Sequence, residues 1–530
     1  MRHPVELKGK PASDGIFAGP VFFLSSAEAE RRASGDPEVE RQAFDEAIAM
    51  AVAGLAALTE TAEGEAAEML SFQVALLEDD ALLEPARALI AQGKPADLAW
   101  RKTVDAEIVG YEMSDDDYFR ARAADLKDMR DRVLRQLSGA GARQAQAGAI
   151  LIGDDVPPSL FLEADWSKGG AIALTQGSPS SHVAILARSR GIPMVVGLGN
   201  VAPNGHAEAV IDGARGLLVL SPDEAAKRAW SQKAEDLAER RAHEDLFLNE
   251  PARLKDGTSI ELLINVAEPD ELDHLDAAHC DGIGLMRSEF LFRDGKPMPD
   301  EEMQYRAYRR FLEWAGKKPV TIRTLDIGGD KPIKGLTPEG ERNPFLGLRG
   351  VRLTLERVPV FKTQLRALAR GAVHGNLKIM VPMITVVSEL EETARLLDEV
   401  MSDLAKEGVA AKRPPLGIMV EVPAAAIAPE LLAQADFFSI GSNDLTQYVM
   451  AAARDEASVA SLGDPSHPAV LYLIEKVAHY GRDRGIPVSL CGDMASEPRH
   501  LKALIAAGLR TLSVSPASIG RVKAALAEIG

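Results

Sequence analysis

"ADFFSIGSND", residues 435–444, is an apolar run that ends abruptly in Asn443 and Asp444. Such a run, bounded by polar residues, reads as a buried strand. The pattern recurs in "SIELLINVA" (259–267), "DGIGLMRSEF" (281–290), "PVTIRTLDIGG" (319–329), "LKIMVPMI" (377–384), "LGIMVEVPA" (416–424) and "IPVSLCGDM" (486–494). Helix-patterned stretches separate most of them. "LGLRGVRLTL" (346–355) is a weaker candidate for the eighth run. Eight alternating β/α units over about 250 residues match the size of a TIM (β/α)8 barrel. Residues 251–530 are expected to form one.

Working back from the barrel, a polar, helix-prone stretch covers residues 223–250 and reads as a solvated linker helix. Residues 146–222 carry β-like runs, "AGAILIG", "GGAIALTQG" and "IPMVVG". Residues 1–27 add "GIFAGPVFFL" after an Asp-Gly turn signal. Between these two segments, residues 28–145 are rich in Ala, Leu, Glu and Arg. Leu55, Leu58 and Ala62 recur at helical spacing, as do Leu76, Leu77 and Leu83. A helical bundle inserted into an α/β domain is the expected arrangement, with "LLEDD" and "MSDDDYF" on its outer faces.

Composition narrows the function. A formal charge of −19 disfavours nonspecific binding to nucleic acid or anionic membranes and suits a partner with a basic face. Aromatic residues make up only 5%, which disfavours stacked-base recognition. Two cysteines, Cys280 and Cys491, supply neither a disulfide framework nor a Cys-x-x-Cys metal site. No apolar run reaches the roughly 18 residues of a membrane span, and the N-terminus lacks a secretory h-region. A cytoplasmic protein is expected.

The barrel's apolar runs end in reactive groups: Arg287 and Glu289, Arg323 and Asp326, Glu421, Asn443 and Asp444, and Cys491. Carboxyl ends of TIM-barrel strands line one face, so these residues should share a mouth. Arg287, Arg323, Arg349 and Arg454 offer planar forks for phosphate and carboxylate oxygens. Glu421 and Asp444 are hard oxygen ligands suited to Mg²⁺, which takes one or two carboxylates plus substrate phosphate. A substrate with both phosphate and carboxylate would use the whole set. Cys491 suits a proton donor or a nucleophile; Cys280, just before a strand, reads as a buried apolar side chain.

A second reactive candidate stands far from these. "QGSPSSHVAILARSRGIP" (176–193) places His182 at the start of a helical pattern. It could be a cap, a metal ligand or a nucleophile. A helix beginning near Ser181 keeps the imidazole neutral and presents N–H groups to a phosphate on it. Ser180 and Ser181 can cap that helix. The nearest histidine, His206, has no ligand pattern around it. A nucleophilic histidine and a phosphate–Mg²⁺ site on separate domains would form a two-station phosphoryl relay.

These segments together resemble Enzyme I of the phosphoenolpyruvate:sugar phosphotransferase system, the phosphoenolpyruvate-protein phosphotransferases. "GSPSSHVAILAR" is similar to the family's phosphohistidine segment, and "DFFSIGSNDLTQYVMAAAR" is the longest match. "GIGLMRSEF", "IRTLDIGGDK", "NPFLGLRGVR", "IMVEVPAAA" and "SLCGDMA" resemble its other binding segments. The resemblance implies that His182 carries the phosphoryl group and that Cys491 protonates the enolate of pyruvate. It implies substrate roles for Arg287, Arg323, Arg349, Asn443, Asp444 and Arg454, and Mg²⁺ roles for Glu421 and Asp444. It also implies a homodimer through the barrel and an inserted helical subdomain that docks the phosphocarrier protein HPr.

The chain departs from the family pattern at Ser178-Pro179-Ser180-Ser181, at Val156-Pro157-Pro158-Ser159, where the family often has Leu-Thr-Pro-Ser, and at Cys491-Gly492-Asp493. The alternatives are a nitrogen-type regulatory relay and a dikinase-type phosphohistidine enzyme. The first usually adds an N-terminal sensory domain, whereas residue 1 here leads straight into an expected strand. The second needs an ATP-binding domain, and residues 28–145 offer no Gly-rich phosphate loop.

Overall fold

The computed structural model describes residues 4–24, 33–60, 64–113, 117–138, 146–179, 181–201, 206–292, 298–329, 333, 335–338, 340–453, 456 and 458–530. For His182 and a few other helical residues it describes the backbone alone. The chain divides into two compact units, Met1–Glu239 and Arg240–Gly530.

The first unit is built on β1 (Val5–Lys8), β2 (Lys10–Ser13), β3 (Ile16–Phe23), β4 (Ile150–Gly153), β5 (Ala171–Leu174), β6 (Met194–Val196), β7 (Glu208–Asp212) and β8 (Leu217–Leu220). They form one eight-stranded sheet in the order β1-β8-β7-β3-β4-β5-β6-β2. β3 serves two partners along its length: Ile16–Pro20 pair antiparallel with β7, and Val21–Phe23 pair parallel with β4. β4, β5 and β6 are parallel and buried on both faces, which is why each reads as an unbroken apolar run. β7 and β8, which the sequence reading did not single out, close the sheet's other half.

Five helices interrupt this sheet between the paired strands β3 and β4: α1 (Pro37–Thr59), α2 (Gly64–Leu77), α3 (Asp80–Ala91), α4 (Ala96–Glu112) and α5 (Asp117–Leu137). Phe44, Ala51, Leu55, Leu70, Ile90, Trp100 and Met129 are fully buried among them. The expected Leu76–Leu77–Leu83 pattern crosses a turn: Asp79 caps α3 by accepting from the Ala81 N–H at 2.8 Å, so Leu83 belongs to the next helix. Ala62 and much of "MSDDDYF" lie outside the described residues. α1 is long and apolar enough to pass as a membrane span, yet Phe44, Ala47, Ile48, Ala51 and Leu55 pack into the bundle core.

Two further helices belong to the α/β part, α6 (Pro158–Glu163) and α7 (His182–Ser189). α7 crosses between the parallel strands β5 and β6 and buries Val183, Ala184 and Ala187 against Met194 and Val196. α8 (Glu224–Asp245) buries no residue along its length, as its charge pattern predicts for a solvated helix.

The second unit is a closed parallel barrel of β9 (Glu261–Val266), β10 (Ile283–Arg287), β11 (Pro319–Arg323), β12 (Asn376–Val381), β13 (Leu416–Val420), β14 (Phe438–Ile440), β15 (Val488–Leu490) and β16 (Thr511–Val514). Seven of the eight runs expected from the sequence supply strands here. "LGLRGVRLTL" does not. It forms the end of a 3₁₀ turn (Pro344–Leu346), a loop, and the helix Val351–Glu356. Gly350, at φ 59°, opens that helix, and Val351 and Thr354 are buried at helical spacing. The eighth strand is the short "TLSV" of β16, which pairs with β9 and closes the barrel.

Candidate functional site

Inside the barrel, alternate residues of each strand face the axis. Leu285, Met380, Met419, Phe437 and Cys491 form an inner apolar cluster, separate from the core between strands and helices. Above it, the carboxyl ends of the strands carry charge.

Arg323 ends β11 and is buried. Its Nη2 donates to Glu289 Oε1 at 2.9 Å, and its Nη1 lies 2.9 Å from Asp326 Oδ2. Glu289 Oε1 also accepts from the Asp326 N–H at 2.9 Å, tying the exits of β10 and β11 together. Arg349, from the loop after β11, uses Nε and Nη2 as a fork on both Asp326 oxygens at 3.1 and 3.2 Å. Its Nη1 donates to Asp444 Oδ1 at 2.9 Å and to the Tyr448 hydroxyl at 3.2 Å. Burial opposes the charge on both guanidiniums, but the facing carboxylates outweigh it and hold their pKa values above the ordinary one.

Glu421, just past β13, is fully buried. Its Oε1 accepts from the Met383 N–H at 2.7 Å, and its Oε2 has no partner. Met383 reaches it from a left-handed conformation, φ 63°, a strained geometry for a side-chain-bearing residue. Gly441 lies so close that a Cβ there would meet Oε2 at 2.9 Å. Burial, then repulsion from Asp444 and Asp326, pushes the Glu421 carboxyl up to about 8. An orphaned, buried carboxylate oxygen beside a second carboxylate is what a divalent cation would satisfy. Glu421 and Asp444 thus fit the expected metal pair. Among the described residues no group of three or more His, Cys, Asp or Glu is placed to hold a metal ion by itself.

Asn443 and Asp493 hold each other: Asn443 Nδ2 donates to Asp493 Oδ2 at 2.9 Å, and the Asp493 N–H donates to Asn443 Oδ1 at 3.0 Å. That exchange joins the helix Ser442–Met450 to the turn after β15. Cys491 lies between, its N–H on the Ile440 carbonyl at 3.0 Å. Burial pushes its thiol up to about 11, so it is protonated at neutral pH and suited to giving a proton rather than attacking as thiolate. Arg287, at the end of β10, is exposed. Arg454 lies outside the described residues. Cys280 is buried, as expected.

Three contributors were not legible beforehand. Tyr448, one helical turn beyond Asp444, donates to the Phe345 carbonyl at 2.6 Å and so pins the loop that carries Arg349; its i+4 spacing from Asp444 was the available signal. Met383 acts through its backbone, which no side-chain pattern reveals. Asn265 of β9 spans the barrel interior, donating to the carbonyls of Cys491 at 3.1 Å and Ser513 at 3.2 Å.

In the first unit, His182 is the first residue of α7. Ser181 is the N-cap, its Oγ accepting from the Ala184 N–H at 3.3 Å. Arg188 reaches back to the Pro179 carbonyl at 2.8 Å and the Ala12 carbonyl at 2.7 Å, fixing the turn that leads into His182. Ser180 lies outside the described residues. Of the departures near this site, Val156 is buried, and Ser159 donates to the buried Asp128 at 2.8 Å. His206 is hydrogen-bonded to Ser221 at 2.9 Å.

Residues 8–122, 145–216 and 241–530 match three families in turn: PEP-utilising enzyme, N-terminal; mobile domain; and PEP-binding domain. A phosphoenolpyruvate-protein phosphotransferase of Bacillus sp. (strain S) is 37% identical over 99% of this chain and 93% of its own length. The Bacillus subtilis (strain 168) protein of that name is 36% identical over 97% of this chain and 93% of its own. The chain belongs to the phosphoenolpyruvate-protein phosphotransferase family. A multiphosphoryl transfer protein of Rhodobacter capsulatus is 37% identical over 85% of this chain but only 54% of its own length. The family is therefore also built into longer chains.

Proposed function

We propose that this enzyme takes the phosphoryl group of phosphoenolpyruvate onto His182 and passes it to an HPr-type phosphocarrier, releasing pyruvate. One observation carries the barrel half of this reading. The buried array of Arg323, Arg349, Asp326, Asp444, Glu421 and Cys491 offers two guanidiniums, an unpaired carboxylate oxygen and a protonated thiol in a single barrel mouth.

Arg323 and Arg349 take the substrate's phosphate and carboxylate oxygens, with Arg287, Asn443 and Arg454 in support. Glu421 and Asp444 hold the divalent cation, Mg²⁺ by ligand type. When bound, that ion neutralises charge on the phosphoryl oxygens. A neutral nitrogen of His182 attacks phosphorus in line; the N–P bond forms as the bond to the enol oxygen breaks. Cys491 gives its S–H proton to C3 of the enolate, and the product leaves as pyruvate. Positioning and electrostatics carry the catalysis.

Residues 1–27 and 146–222 act as the phosphohistidine domain, 28–145 as the HPr-docking subdomain, 223–250 as the linker and 251–530 as the phosphoenolpyruvate domain. The docking reading rests on the charge of −19 and the acidic helices. A homodimer through the barrel is supported by the exposed apolar residues Ile427, Leu431 and Tyr472.

The deciding experiment is incubation with phosphoenolpyruvate labelled on phosphorus, with and without Mg²⁺, followed by peptide mapping. Acid-labile, Mg²⁺-dependent label on His182 supports the relay. Folded protein that binds phosphoenolpyruvate and takes no label would make the chain a binding relative.

A further inference from the structure

Ser439 sits in the middle of β14, between Phe438 and Ile440, which pack outward into the core beneath the helices. Phe437 and Cys491 belong to the inner cluster, so strand alternation turns Ser439 inward beside them. β14 pairs in parallel with β15, matching Ser439 to Ser489 and Ile440 to Leu490, immediately before Cys491. Ser439 is fully buried, and its Oγ makes no regular hydrogen bond. Cys491 stands two residues beyond Ser489, the partner of Ser439, and therefore on the same inner face of the barrel, where the hydroxyl offsets part of the rise that burial imposes on the thiol.

A buried hydroxyl without a partner is costly, about 1–3 kcal/mol, and alanine would fill the same space without that cost. A structural role therefore does not account for it. The proton-transfer step does. When the Cys491 S–H bond breaks and a C3–H bond forms on the enolate, the electron pair stays on sulfur. A thiolate is then left in an apolar chamber. The charges that reach it are Glu421, which disfavours it, and Arg323 and Arg287, which favour it. In the resting state the Sγ donates its proton to the Ile440 carbonyl at 3.6 Å.

We propose that Ser439 is a further catalytic residue, whose hydroxyl donates a hydrogen bond to the sulfur as the proton leaves Cys491. The hydroxyl keeps its own proton. The thiolate regains one from water after pyruvate departs. This inference rests on Cys491 being the acid of the reaction.

The step can be read alone, in reverse, as exchange of the pyruvate methyl protons for deuterium in D₂O. NMR follows it with the enzyme phosphorylated from phospho-HPr and supplied with Mg²⁺. Ser439→Ala is expected to lower the maximal exchange rate by about 10-fold or more, to leave the pyruvate concentration at half-maximal rate unchanged, and to melt no lower than wild type. Exchange at the wild-type rate in Ser439→Ala would overturn the proposal, as would a lowered melting temperature that accounts for the loss. Cys491→Ala separates the two readings. If that variant still exchanges, Cys491 is not the acid; if it does not and Ser439→Ala does, only the role of Ser439 fails.

Discussion

Arg349 and Asp444, 95 positions apart in sequence, meet with Nη1 2.9 Å from Oδ1 while the rest of the guanidinium grips Asp326. The fork proposed for substrate oxygens is thus occupied by carboxylates. In the proposed reaction, substrate oxygens would compete with Asp326 and Asp444 for this guanidinium. Until substrate arrives, the carboxylates fix the orientation of the guanidinium.

Arg349→Lys keeps the charge but loses the fork on Asp326. A drop of about 100-fold in kcat/KM for phosphoenolpyruvate is expected, measured as pyruvate release. A change within 3-fold would mean that Arg349 only holds Asp326 in place.

Tyr448→Phe removes one hydroxyl from between Arg349 and the Phe345 carbonyl and keeps the ring. A net hydrogen bond of about 1 kcal/mol corresponds to a rise of about 5-fold in KM for phosphoenolpyruvate, with little change in melting temperature. An unaltered KM would show that Asp326 and Asp444 position the arginine without the hydroxyl.

Glu421→Gln tests the orphan oxygen. Calorimetric titration should show at least about 100-fold weaker Mg²⁺ binding, since a coordinating charge is lost. Near neutral pH the folded protein should melt at about the same temperature, because a carboxyl held up to about 8 is already largely protonated there and the amide is neutral too. Lower stability with intact Mg²⁺ binding would assign Glu421 to the scaffold.

Cys491→Ala should stop pyruvate formation while His182 still accepts a phosphoryl group from phospho-HPr, followed by gel autoradiography. Its pH signature is separate. With the buried thiol at about 11 against an ordinary 9.0, the unfolded chain releases its proton first as pH rises. In that window the folded state binds more protons, so stability falls with rising pH. The variant should show a shallower decline in melting temperature between those pH values.

Much of the barrel was legible because its strands are buried on both faces and read as apolar runs. Their polar ends named Arg323, Asp326, Glu421, Asn443, Asp444 and Cys491. β16 escaped notice because four residues are too short to show a period, while "LGLRGVRLTL" carried enough leucine to imitate a strand. β7 and β8 escaped because nothing in their order announces that they return antiparallel to β3 and β1.

By itself the sequence determined the order of the parts, which polar and ionisable residues end the barrel strands, and the side of the barrel on which they stand. Those follow from local periodicity and from the direction of a parallel strand. Tertiary structure alone decided who pairs with whom: Arg349 with Asp326 and Asp444, Asn443 with Asp493, Tyr448 with Phe345, and the Met383 N–H with Glu421. These contacts join loops from different strands, and the unpaired oxygens of Glu421 and Ser439 exist only because closure of the barrel removes them from water.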